Sequence, residues 1–215
     1  MVSEFVKDVL RAVSSSLQIP TIVVLIILIA IVIIMLGSFI GEFFTERRTL
    51  KAKIPVLIDE LQGKNADELQ AIIKKSRLLK RQKKAIIELI VRGGYSDATR
   101  EALARQLIAD EENRYAKITK VTDLIAKIAP MFGLMGTLIP LGPGLLALGQ
   151  GDTKTLSESL LIAFDTTVAG LISAAVAYII SSIRKGWYEQ YMVGLETIME
   201  TILEEQSREN NKGDQ

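Results

Sequence analysis

The sequence has no cysteine and no histidine among its 215 residues. No disulfide, thiolate nucleophile, iron–sulfur cluster, histidine-ligated zinc, Ser-His-Asp triad or imidazole relay can be built from it. Proton handling is left to carboxylates, hydroxyls and water. Aromatic residues are scarce at 6%, and a net charge of +1 gives the whole chain no polyelectrolyte character, so any charge bias is local. What is present is 49% hydrophobic and 24% charged residues with a positive mean hydropathy of +0.30. Soluble domains seldom combine these values unless the two kinds of residue are segregated along the chain. They are. Ala12 to Gly41 is thirty residues without a charge, Ile128 to Gly151 twenty-four and Thr166 to Ile183 eighteen. A bilayer core of roughly 30 Å takes about 20 apolar residues of helix, so three crossings fit. No nucleophile–base pair or phosphate loop stands out, and an enzyme is not expected.

Ile19 to Ile40 is almost wholly Ile, Val and Leu, and its 22 residues would reach about 33 Å as a helix. It is too long for a signal peptide and no A-x-A-like site follows, so it reads as a retained, lipid-facing membrane helix. Its flanks set a direction. Lys7 and Arg11 upstream are balanced by Glu4 and Asp8, whereas Arg47, Arg48, Lys51 and Lys53 follow it. Lys117, Lys120 and Lys127 precede the second run, and Arg184 and Lys185 follow the third. The basic side stays in the cytoplasm. The expected plan is therefore an outer N-terminal segment or amphipathic helix at 1–18, and a first span at 19–41. A cytoplasmic helical domain at 42–127 and a second span at 128–149 follow. An outer hairpin at 150–159, a third span at 160–183 and a cytoplasmic helix and tail at 184–215 complete it.

The inner loop carries nineteen Lys and Arg against thirteen Asp and Glu. Asn65 followed by Glu68 matches a capping box, opening a helix expected to end at a left-handed Gly93-Gly94. Ser96 caps a second helix from about Asp97, which no Pro or Gly interrupts before Pro130. Lys74, Lys75, Arg77, Lys80, Arg81, Lys83 and Lys84 put seven basic residues into eleven. Two readings stand for them, a solvated helix face or contact with anionic lipid headgroups. Nucleic acid is not expected, because no aromatic interleaves the run as a stacking platform. Trp187, Tyr188 and Tyr191 follow the third span as interfacial anchors. Residues 189–206 read as a helix whose Met192, Leu195, Ile198, Met199, Ile202 and Leu203 form an apolar stripe in need of a partner.

The second and third spans differ from the first. Gly133, Gly136 and Thr137 make a small face that lets a helix approach closely. Pro140 and Pro143, flanked by Gly142 and Gly144, are expected to disturb the helix within the membrane. On the third span Ala163, Thr167, Gly170, Ala174 and Ala177 recur at helical spacing, with Thr166 and Ser173 beside them. A pore-lining face and ordinary small-residue packing both fit. Asp165 favours function, because a carboxylate inside a span costs about 2.5–3.5 kcal/mol at the bilayer centre. The alternative makes it a helix cap at the outer interface.

Ala129-Pro-Met-Phe-Gly-Leu-Met-Gly-Thr137, followed by Ala163-Phe-Asp-Thr-Thr167-Val-Ala-Gly170-Leu, resembles the MotA/TolQ/ExbB proton-channel family. There the second span typically begins A-P-L-L-G-L-L-G-T and the third carries A-x-x-x-T-x-x-G-L. Three spans with a large inner loop look like the ExbB and TolQ branch. The resemblance implies an all-α membrane protein with long cytoplasmic helical extensions, forming a homo-oligomeric, pentameric ring without cofactor in the cytoplasmic membrane. Its second and third spans would line a pore around the single membrane helices of an ExbD-, TolR- or MotB-like partner. H⁺ or Na⁺ would pass by Thr137, Asp165, Thr166 and Thr167. Gly133, Gly136, Pro140, Ala163, Gly170, Ser173 and Ala174 would form the packing and pore face. The chain departs from the pattern in Asp165, a place usually apolar, and in Ile139 to Gly144. A non-conducting membrane scaffold is the alternative.

Overall fold

The computed structural model describes residues 2–46 and 54–213, and the basic positions 47, 48, 51 and 53 used above lie outside them. Six helices make up its regular structure: α1 (Val2–Glu46), α2 (Ile54–Leu61), α3 (Ala66–Lys75), α4 (Lys80–Val91), α5 (Asp97–Gly149) and α6 (Thr153–Gly213). The described residues are all-α, and three of the helices are long and apolar enough to cross a membrane, α1 over Ser16–Phe43 together with α5 and α6. The chain divides into two compact units, one of residues 1–40 and 119–183, the other of residues 41–118 and 184–215.

In the first unit, Leu28 and Val32 of α1 bury against Ile125 and Ala129 of α5 and Ala174 and Ala177 of α6. Short side chains on α5 and α6 leave room for the branched residues of α1, so three helices share one small core. In the second unit, Leu57, Leu61, Leu69, Ile73, Ile86, Leu89 and Ile90 of α2, α3 and α4 enclose Leu195, Ile198, Met199 and Ile202 of α6. Each such side chain contributes about 1.5–3 kcal/mol on burial. The loop helices are therefore the partner that the apolar stripe of 189–206 requires.

Three local expectations change. The Asn65 cap forms as expected, with Glu68 N donating to Asn65 Oδ1 at 3.0 Å. The helix it opens, however, stops at Lys75, and a second begins at Lys80. Ser76 turns extended (ψ 166°) while its hydroxyl donates to the Ile73 carbonyl at 2.7 Å. This local bond competes with the helix ladder, and the break lets α4 fold back on α3 so that Ile86 and Leu89 meet Leu69 and Ile73. Gly93 and Gly94 are not left-handed; among the described residues only Gly63 and Gly151 have positive φ. Gly93 is small for another reason, since a Cβ there would lie 2.9 Å from Gln206 Nε2.

Proline does not break α5, which runs through Pro130, Pro140 and Pro143. Each ring removes one donor, and the neighbouring turns keep the rest of the ladder. The connection to α6 is a tight turn at 150–152, inside the expected hairpin of 150–159. Gly151 (φ +79°) makes the turn, and Asp152 receives the Thr155 amide at 3.1 Å. Residues 189–206 are continuous with the third span inside α6, as residues 2–18 are with the first inside α1.

Candidate functional site

The site is built on the seam between α5 and α6. A Cβ added to Gly133 would lie 3.3 Å from Gly170 Cα, and one added to Gly170 would lie 2.7 Å from the Ala129 carbonyl oxygen. One on Gly136 would stand 2.6 Å from Thr166 Oγ1, and one on Gly144 3.0 Å from Ser159 Cβ. As α5 numbers rise, their α6 partners fall, so the helices run antiparallel with backbones nearly touching. Only glycine permits this approach. Ala163 and Pro140 are buried along the same line.

The seam sorts the hydroxyls. Thr166 is buried in it and donates to the Ile162 carbonyl at 2.8 Å, with Ala163 O at 3.0 Å. Thr167 and Thr137 are half-buried, donating to the Ala163 carbonyl at 3.1 Å and the Leu134 carbonyl at 2.6 Å. At about 100° per residue, Thr137 stands about 60° from the middle of the α5 seam face. Thr167 stands about 70° from the middle of the α6 face in the same rotational sense. In an antiparallel pair that brings both to one flank. Their hydroxyl protons point back to their own helices, which leaves oxygen lone pairs free to accept.

Asp165 is elsewhere. Two residues of helix put it about 200° from Thr167, so it lies on the opposite flank, exposed, with Leu161 and Ile172 exposed on the same side of α6. It is not a helix cap, because α6 begins twelve residues earlier. Asp152 fills that role, and the Thr155 hydroxyl and amide hydrogen bonds, outweighing slight burial, keep its carboxyl below the ordinary value. The four residues expected to share one path are thus divided: Thr166 inside the seam, Thr137 and Thr167 on one flank, Asp165 on the other. Ser173 and Ala174 are buried, Ala174 within the core shared with α1. The seven basic residues straddle the α3–α4 break.

Two polar contacts escape the sequence reading. Ser181 Oγ donates to Asp123 Oδ1 at 2.5 Å, joining α6 to α5 beside the buried Thr122. The available signal was that Asp123 is the only acid between Glu112 and Asp152. In the other unit, Glu42 receives Arg184 Nη2 at 2.7 Å, Arg184 Nε at 2.8 Å and the Tyr188 hydroxyl at 2.9 Å. In the sequence Arg184 serves only as a topology marker.

The sequence model of the MotA/TolQ/ExbB proton channel family matches residues 68–197, which takes in most of α3, all of α4 and α5, and α6 through the seam and beyond. The chain belongs to the MotA/TolQ/ExbB proton channel family. With its three long apolar helices it is a multi-pass membrane protein of this channel family. No curated protein matches it. The matched residues contain the whole seam, so this close helix approach lies in the part of the chain that the MotA/TolQ/ExbB model covers.

Proposed function

We propose that the chain is the ring-forming subunit of an ion-driven motor or energy-coupling channel of the ExbB/TolQ type. Five copies surround the membrane helices of a single-span, ExbD-, TolR- or MotB-like partner in the cytoplasmic membrane. The N-terminus lies outside and the tail in the cytoplasm. The observation that carries this reading is the common flank of Thr137 and Thr167. Two hydroxyls with free acceptor lone pairs, held on a rigid seam, suit a partner's carboxylic acid or a passing H⁺ or Na⁺. Exposed Leu134, Leu138, Phe164 and Leu171 extend the same flank as an apolar wall. Asp165, on the other flank, gathers cations at the outer mouth between neighbouring copies. Passage of one charge supplies about 2.3 kcal/mol per 100 mV, which turns the partner within the ring; no enzymatic step is involved.

Native mass spectrometry of the complex, gently extracted with its neighbours, tests the assembly. Five copies with one or two copies of a single-span protein are expected. A monomer or dimer stable alone would favour the non-conducting scaffold. Ion flux into vesicles then tests the path: Thr137→Ala and Thr167→Ala each abolish flux with the ring intact, and unchanged flux in either variant removes that threonine from the path.

A further inference from the structure

The second unit carries a charged surface that the channel reading does not use. Six of the seven basic residues, Lys74, Lys75, Arg77, Lys80, Arg81 and Lys84, are exposed. Among the described residues none of the seven is in an ion pair. The fold concentrates them. Lys83 Nζ donates to the Lys74 carbonyl at 2.8 Å, clamping the last turn of α3 to the first turn of α4. The acids of α3, Asp67 and Glu68, sit in its opposite, first turn. The first turn of α4 has no acid, although its exposed amides and dipole favour negative charge. Lys80 and Arg81 there work against the dipole, an arrangement that an outside anion relieves.

The same turn packs against α6 beyond its apolar run. Gln82 Nε2 donates to the Tyr191 carbonyl of α6 at 3.3 Å. Tyr191 is eight residues past Ile183, the end of the third charge-free run, about 12 Å along a helix. Around it, Tyr115 stacks on Tyr188 at 4.3 Å and stands 6.3 Å from Tyr191, while Phe43 meets Trp187 at 5.8 Å. Tyr188 and Tyr191 are buried in this cluster rather than set as interfacial anchors, whereas Trp187 and Phe43 stay half-buried, as a headgroup-level pair does. Long basic side chains at this level reach phosphates while their stems stay on the protein.

We propose that the α3–α4 break is a seat for anionic phospholipid headgroups, formed by Lys74, Lys75, Arg77, Lys80, Arg81 and Lys84. It holds the loop helices against the bilayer surface, and it does not depend on how many copies assemble. A soluble acidic partner fits the charge but not the half-buried Phe43–Trp187 pair one helical turn before Tyr191.

The test uses the full chain with its natural partners in nanodiscs of phosphatidylcholine alone or with added phosphatidylglycerol, read by hydrogen–deuterium exchange over residues 74–84. One basic residue brought to an anionic surface is worth about fivefold in occupancy. Exchange in the phosphatidylglycerol-containing discs is therefore expected to slow by at least about fivefold, and the effect should fade at high salt. The variant K74Q/K75Q/R77Q/R81Q should lose the protection while residues 85–90 and 195–202 stay protected. If that variant unfolds, Arg81→Gln with a salt titration of the parent chain replaces it. Equal exchange in both lipids, or protection surviving in the variant, overturns the proposal. Protection in phosphatidylcholine discs only after adding an acidic protein or an oligonucleotide does so too.

Discussion

Gly136 of α5 faces Thr166 of α6 so closely that a Cβ there would stand 2.6 Å from the threonine Oγ1. Gly136→Ala is therefore expected to push the helices apart at a cost of about 1–3 kcal/mol, the range of overpacked cores. Adding Thr166→Ala should recover part of the loss. Gly142→Ala, where nothing lies within 4 Å, should be neutral or stabilise by up to about 1 kcal/mol. Detergent unfolding curves of the four proteins decide this, and equal losses at Gly136 and Gly142 would contradict the seam.

Glu42 is half-buried with three donors on it, two from the buried Arg184 and one from Tyr188. Removing the carboxylate leaves the buried Arg184 charge without its counter-ion, so Glu42→Gln should destabilise by about 1.5–3 kcal/mol. Glu42→Gln with Arg184→Gln should cost less than Glu42→Gln alone. Thermal melts in one detergent give the comparison, and additive losses would mean the pair is not coupled.

Asp97 holds the fully buried Arg100 by a hydrogen bond and ion pair, and Arg100 Nη1 also donates to Gln206 Oε1 at 3.3 Å. The Arg100 bond, opposed by slight burial and aided by Ser207, keeps the Asp97 carboxyl below its ordinary value. A carboxyl depressed in the folded state contributes stability above its unfolded value of about 3.9 and loses it as pH falls further. Melting of the second unit should be flat above about pH 5 and fall below about pH 4. Asp97→Asn should remove this part of the acid dependence, and an unchanged curve would remove the Asp97–Arg100 contact from the explanation.

Asp165 is exposed and packs into no core, so Asp165→Asn should change folding stability by less than about 0.5 kcal/mol. Under the proposed function the same substitution lowers ion flux without loss of assembly, and Thr167→Ala stops it. A fall in stability would give Asp165 a structural role instead.

Much of the fold was legible because its signals are local. Charge-free runs of thirty, twenty-four and eighteen residues mark the three apolar helices. Asn65 and Ser96 mark helix starts because a short polar side chain reaches the amide three residues on, as both do here. The family motif marks the seam because its glycines are required by contact. Other features were not local. The break at Ser76 looks like ordinary helix until α4 must turn back to bury Ile86 and Leu89. The division of Asp165 from Thr167 follows from helix rotation, but the flank each occupies needs the position of α5.

The sequence by itself determined the helical class, the number of apolar spans, the caps and the residue types of the seam. Each of these depends on neighbours within a few positions along the chain. Tertiary structure decided which small residues are packed and which hydroxyls stay open. It also placed Ser181 on Asp123 and set three donors on Glu42. Those outcomes depend on residues 58 and 142 positions apart meeting in space, a pairing that packing selects and local pattern does not encode.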